Sequence, residues 1–213
     1  SSSSAASDVY KRQAPSCAMG SLFIAAYLER MDEAYSYSRT ARAQAFDRVE
    51  ARPSQSRGTR LIARVIRAAS VLDAESISRV ILAALRHSNA ADYDAATLAR
   101  VARAFTPQAV VQSLDRRVVW VALESDVVVA TASLEKNVVR SVFVDPSYQR
   151  QGLGEQLMGY IEQEARDTGV RQLQVPSSLT AQGFYARLGY TAVREVRYGN
   201  ERTVVMAKVM TAS

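Results

Sequence analysis

One stretch constrains this chain more than any other: Val142-Phe143-Val144-Asp145-Pro146-Ser147-Tyr148-Gln149-Arg150-Gln151-Gly152-Leu153-Gly154-Glu155. It begins in Val138–Val144, an apolar, β-branched run that reads as a strand. Pro146, with no donor for a sheet ladder, stops that strand. From Gly152 to Asp167, Leu153, Leu157 and Ile161 recur every four residues and give a helix one apolar stripe. A strand therefore feeds through a proline turn into a helix whose first N–H groups have no intrahelical acceptor. Those groups and the positive end of the helix dipole favour a phosphate. Gly152 and Gly154 carry no Cβ, so main chain can approach the oxygens, and Arg150 adds positive charge. The segment suits a diphosphate, although two glycines at this spacing also serve a plain tight turn. Two competing phosphate motifs fail. A P-loop needs Gly-Lys-Ser/Thr, and Gly154 is followed by Glu155 and Gln156. A dinucleotide fingerprint needs a third glycine near Leu157.

The flanking patterns place this segment in a mixed α/β chain. Leu61–Ala68 reads as a first strand and Asp73–Arg86 as a helix presenting Ile77, Val80, Ile81, Ala84 and Leu85 on one face. Asp92–Phe105 reads as a second helix, and Thr106-Pro107 as the N-cap and first position of a short helix to Leu114. Val118–Leu123, Val127–Leu134 and Val138–Val144 are strands separated by short polar gaps that suit antiparallel hairpins. After the Gly152–Asp167 helix, which Gly169 ends, come a short strand Arg171–Val175 closed by Pro176 and a helix Thr180–Leu188. Strands Thr191–Arg197 and Arg202–Val209 flank a Tyr198-Gly199-Asn200 turn. The order β-α-α-β-β-β-α-β-α-β-β indicates an α/β (α+β) domain, a mixed sheet with helices on its faces.

Composition removes several function classes. The single cysteine, Cys17, rules out an intrachain disulfide and any cysteine-based zinc site, and the single histidine, His87, rules out a histidine metal cluster. No metal is expected. No apolar run reaches the roughly 18–20 residues of a membrane helix, and Ser21–Leu28 lacks the flanks of a signal peptide, so a soluble cytoplasmic protein is expected. The formal net charge is +6, but residues 65–213 carry only +2 of it. The excess lies in the first third of the chain and does not argue for a nucleic-acid partner.

That first third divides further. Ser3–Gln13 resembles a translated sequencing-library adapter, which implies a chain assembled from environmental (metagenomic) DNA, with Met19 and Met31 as alternative starts. Residues 1–13 are expected to be a disordered artefact. Residues 14–60 read as a helical extension ending in the breaker-rich linker Pro53–Thr59, or as upstream DNA translated in error, and 61–213 as the functional domain.

Two blocks carry a family resemblance. Gln149-Arg150-Gln151-Gly152-Leu153-Gly154 resembles the Gln/Arg-x-x-Gly-x-Gly/Ala motif of the Gcn5-related N-acetyltransferases. Ser178–Tyr190, with Gly183-Phe184-Tyr185 and Gly189-Tyr190, resembles the family's Phe-Tyr-x-x-x-Gly-Phe/Tyr block. The resemblance covers about residues 61–211, and the Ser-Leu-Thr-Ala form of the second block is similar to the YafP-like branch of small bacterial acetyltransferases. It implies a sheet splayed between Val138–Val144 and Arg171–Val175, with acetyl-CoA in the cleft as cosubstrate. Main-chain groups of Val142, Phe143 and Val144 would pair with the pantetheine arm. Gln149, Arg150, Gln151, Gly152, Leu153, Gly154 and Glu155 would form the diphosphate site. Ser178 stands where many relatives have Asn, which puts its cofactor contact in doubt.

The resemblance also implies direct acetyl transfer to an amine. A main-chain N–H such as that of Val144 would face the oxyanion. Tyr185 matches the family's general-acid tyrosine, able to protonate the departing thiolate; the alternative is that it packs and only shapes the pocket. No general base is identifiable. Glu135 reads as a solvated turn charge, with action through water as the alternative, and His87 as a helix C-terminal cap, with catalysis as the alternative; Asp145 reads as a turn residue and Trp120 as core. Tyr93, Tyr148 and Tyr190 are candidates for the acceptor pocket. The expected reaction is acetylation of a small-molecule primary amine. A protein N-terminus or lysine as acceptor, and a non-catalytic acyl-CoA sensor, are the alternatives. Monomer and homodimer are both open, the last strand offering an edge.

Overall fold

The computed structural model describes residues 64–89, 102–198 and 201–211. Seven strands form one sheet in the order β1-β2-β3-β4-β5-β7-β6. They are β1 (Arg64–Ala68), β2 (Val118–Glu124), β3 (Val127–Glu135), β4 (Val138–Val144), β5 (Gln172–Ser178), β6 (Thr191–Tyr198) and β7 (Glu201–Val209). Helices lying wholly among the described residues are α1 (Ala74–Asn89), α2 (Pro107–Leu114), α3 (Leu153–Asp167) and α4 (Gln182–Arg187). Every strand pair is antiparallel except β4–β5, which is parallel. This is the mixed architecture expected from the pattern. The expected Asp92–Phe105 helix lies mostly outside the described residues, as do Leu61–Ala63, Tyr93, the Gly199-Asn200 turn and everything before Arg64.

The sheet has two apolar layers. Ile66, Trp120, Val139, Val142 and Val144 pack with Leu153, Leu157, Met158 and Ile161 of α3 on one face. Val119, Val121, Leu123 and Phe143 pack with Ile77, Val80, Ile81, Ala84 and Leu85 of α1 on the other. Trp120 is core as expected, tilted against Tyr160 at 5.1 Å between centroids.

Local chemistry sets the helix ends. Thr106 accepts the Ala109 N–H at 3.2 Å with Pro107 at the first position of α2, as the dipeptide predicts. The first helix starts later than expected, because Val71–Asp73 forms a 3-10 turn ahead of it. Asp73 closes that turn: its carboxylate takes the Ser70 N–H at 2.7 Å and both terminal nitrogens of Arg67 at 2.8 Å.

Two expectations need correction. Pro176 does not close β5, which runs on to Ser178. The Gln174 N–H donates to Asn137 O at 2.9 Å, so main-chain groups of Gln174, Pro176 and Ser178 turn toward β4. There the ladder is absent, and the proline's missing donor costs nothing. Leu173, Val175 and Ser177 turn theirs toward β7, whose register with β5 is unbroken from Gln172↔Val209 to Ser178↔Thr203. The Thr180–Leu188 helix is likewise shorter than expected, because Leu179 to Ala181 form a turn.

Candidate active site

The cleft originates in a ladder that stops. β4 and β5 share one paired position, Val138↔Gln174, after which they are no longer joined. The inner edge of β4 from Val139 to Val144 and the facing edge of β5 thus form a slot lined by main-chain groups. A bulge shapes the β4 side. Ser133 pairs with Arg140 and Thr131 with Phe143, so two residues of β4 oppose one of β3. Ser141 takes φ +53° there. The bulge leaves Val139, Val142 and Val144 facing α3, whereas Ser141 and Phe143 face α1 and α2.

The glycine loop sits at the C-terminal end of β4. Asp145 accepts the Ser147 N–H at 3.0 Å and starts a 3-10 turn, Pro146–Tyr148. Gln149 folds back, its amide donating to Val144 O at 3.2 Å. Arg150 and Gly152 then both take left-handed conformations, φ +60° and +80°. Gly152 is the N-cap of α3, and its carbonyl takes the Gln156 N–H at 3.0 Å, which leaves the N–H groups of Leu153, Gly154 and Glu155 as the helix's first free donors. Leu153 and Gly154 are buried, while Arg150, Gln151 and Glu155 are exposed around them. Tyr148 packs against the core at the loop's base.

Ser178 and Tyr185 lie at the far wall. The Ser178 hydroxyl accepts the Ala181 N–H at 3.2 Å and pairs with Thr180 Oγ1 at 3.0 Å, so it fastens the turn into α4. Tyr185 is 7% exposed, with its ring edge-on to Phe184 at 5.0 Å and to Tyr190 at 5.9 Å.

Tyr190 is a correction. It is 2% exposed and belongs to the core rather than to an acceptor pocket. The cause is the end of α4. Gly189, at φ +87°, lets its own N–H reach Ala186 O and the Tyr190 N–H reach Tyr185 O, both at 3.0 Å. That double closure brings the residue after the glycine onto the helix's last turn, where Tyr190 meets Tyr185. Burial and the nearby Glu162 raise the Tyr190 hydroxyl far above a tyrosine's ordinary range.

Glu135 is a second correction. It is not a solvated turn charge. Its Oε2 lies 3.3 Å from both Arg117 Nε and Arg140 Nε, and all three side chains are at most 12% exposed. This cluster stands beside a cavity of about 40 Å³ between α1, α2 and the sheet, lined by Phe105, Ser113, Arg117, Thr131, Ser133 and Ser141 among others. The sequence offered no sign of it, because its members come from three separate segments: β3, β4 and the turn before β2. Asp145 is more than a turn residue: Arg79 of α1 pairs with it at 3.3 Å and also donates to Val128 O at 2.7 Å. His87 is exposed in the last turn of α1, a position that suits a helix C-terminal cap.

The acetyltransferase (GNAT) domain model matches residues 89–209, more than half of the chain. The chain belongs to the GNAT acetyltransferase family. Solved structures agree on the fold. A Gcn5-related N-acetyltransferase from Rhodopseudomonas palustris is 23% identical, with a TM-score of 0.63 over 71% of this chain and 99% of that one. The PaiA N-acetyltransferase of Thermoplasma acidophilum, solved with coenzyme A, is 16% identical, with a TM-score of 0.61 over 69% and 99%. The ribosomal-protein-S18-alanine N-acetyltransferase of Escherichia coli is 18% identical, with a TM-score of 0.53 over 71% and 96%. This GNAT chain is thus an acetyltransferase whose slot, loop and helix start gather where the seven-stranded sheet parts. Among its described residues no helix is long and apolar enough to cross a membrane, and no three His, Cys, Asp or Glu side chains gather to hold a metal.

Proposed function

We propose that this GNAT enzyme transfers the acetyl group of acetyl-CoA directly to the primary amine of a small molecule in the cytoplasm, and that residues 61–213 are the unit that does so. The single observation that carries the reading is the slot between β4 and β5, joined at one pair and ending at a glycine loop and helix N-terminus. An extended, amide-bearing arm fits such a slot, because it restores hydrogen bonds the strands do not make to each other. Val142 and Val144 supply main-chain groups to the arm; Phe143, expected to do so as well, turns its own toward β3, as Asp145 does in donating to Val129 O at 2.9 Å. N–H groups from Arg150 to Glu155 hold the diphosphate, with Gln149 keeping the loop on β4. Ser178 borders the arm and holds the α4 turn. A main-chain N–H of β4, that of Val144 in this reading, faces the thioester oxygen as charge grows on it.

The neutral amine attacks the thioester carbon. The C–S bond then breaks, and the sulfur leaves with its electron pair and takes the proton of Tyr185; the nitrogen sheds its surplus proton to water, from which Tyr185 is reprotonated. Tyr185 is buried, with its ring edge-on to Tyr190.

Coenzyme A release across a panel of amines, amino acids and peptides tests the activity. Turnover with small amines alone is the expected outcome; turnover confined to peptides would move the acceptor to protein, and tight acetyl-CoA binding without release would make the chain a sensor. Tyr185→Phe is expected to lower kcat by about 10²–10⁴-fold and to flatten the alkaline limb of its pH profile. An unchanged kcat and limb would leave Tyr185 a packing residue.

A further inference from the structure

Arg64 and Gln151 lie far apart in sequence, and the fold brings them together at the glycine loop. Arg64 opens β1 and stands directly across the ladder from Glu124 of β2. Its Nε donates to Glu124 Oε1 at 2.8 Å, which fixes the plane of the guanidinium. The other two nitrogens reach the loop. One donates to the main-chain carbonyl of Gln151 at 3.4 Å and the other to its side-chain Oε1.

Gln151 is the residue between the two left-handed positions, Arg150 and Gly152. A non-glycine residue at φ +60° is strained and persists only where its surroundings enforce it. Arg64 grips both the main chain and the side chain of the intervening residue. Glu124, its ion-pair partner, offsets much of its charge. At the loop's other end Arg79 holds Asp145, the carboxylate that opens the turn.

We infer that Arg64 is a positioning residue, which holds the Arg150–Gly152 turn in the shape that points its N–H groups at a diphosphate. The inference rests on the diphosphate reading of the loop given above. It makes the first strand of the domain part of the cofactor site, although β1 lies at the outer edge of the sheet, three strands away from β4.

The test compares two ligands of the full chain: acetyl-CoA, and S-acetylpantetheine, which has the same arm without the diphosphate. Arg64→Ala is expected to weaken acetyl-CoA about tenfold and S-acetylpantetheine less than about twofold. Arg64→Lys, which keeps the charge but not the fork, is expected to fall between wild type and Arg64→Ala. Gln151→Ala added to Arg64→Ala is expected to bring no further loss. An equal loss for both ligands would make Arg64 a general prop of the fold and overturn the inference, as would no loss for either. If the wild-type chain itself holds acetyl-CoA no more tightly than S-acetylpantetheine, the diphosphate reading falls, and the role of Arg64 falls with it.

Discussion

The two parts of the sheet are built differently. Strands β1 to β4 are joined by long antiparallel ladders and covered on both faces, by α1 with α2 and by α3. The β5-β7-β6 part is also well laddered, but β6 exposes nearly every residue from Thr191 to Arg197. Between the parts stands one paired position. A sheet that left this much main chain unpaired in its middle would lose stability unless other contacts bridged it. α3 provides the bridge: it packs under β2, β3 and β4, and Glu162 on it binds Lys208 of β7 through both oxygens, at 2.7 and 2.8 Å. The slot stays open because the two parts are held by a helix and an ion pair instead of by each other.

That contrast can be broken in graded steps. The largest effect is expected in the well-covered part. Glu135→Gln leaves the buried guanidinium groups of Arg117 and Arg140 without the carboxylate between them, and a loss of about 3–5 kcal/mol in urea unfolding is expected. A loss under about 1 kcal/mol would show that water reaches the cluster. Next comes the bridge. Lys208→Met strands Glu162 beside Tyr190 and is expected to cost about 2–3 kcal/mol, discounted because the lysine is partly exposed. Far-ultraviolet dichroism and Trp120 fluorescence should then cease to report one transition. Continued coincidence of the two would mean the parts are coupled elsewhere.

A smaller effect belongs to the turn after β1. The hydrogen bonds of Arg67 lower the Asp73 carboxyl to about 2. A carboxyl depressed in the folded state stabilises above its unfolded value, near 4, and that contribution disappears as pH falls through about 2. Asp73→Asn should therefore cost about 1 kcal/mol at about pH 7, discounted because Arg67 is partly exposed, and almost nothing near pH 2. A cost that is the same at both would exclude the ion pair as its source. The smallest effect is expected on the exposed hairpin. Arg202 and Arg197 hold the Glu195 carboxyl down to about 2, yet the group is fully solvated, so Glu195→Gln should leave the melting temperature unchanged.

Much of the fold was legible as local pattern. The Thr106-Pro107 start, the three consecutive hairpin strands, the stripe on α3 and the glycines after α3 and α4 are short-range signals, and each appears where the pattern put it. Gly189 even carried its own consequence: the glycine that ends α4 folds Tyr190 back onto Tyr185, which makes an acceptor-pocket role for Tyr190 untenable. Pro176 misled because proline forbids a ladder only on the side its nitrogen faces, and sidedness depends on which neighbour is present.

The site divides along the same line. The run from Val142 to Glu155 is contiguous, so its strand, turn and helix start could be read from residue chemistry, and the two family blocks with it. Arg64 with Gln151, Arg79 with Asp145 and Glu135 between Arg117 and Arg140 could not. These partners are remote in sequence or sit on different segments, and a charged residue among apolar ones looks the same whether it ends in water, in an ion pair or on a phosphate loop. Register and strand order choose among those ends, because a shift of one residue in β1 would turn Arg64 to the other face. The loop's capacity for a phosphate is thus local, and the grip that shapes it comes from the packing of the sheet.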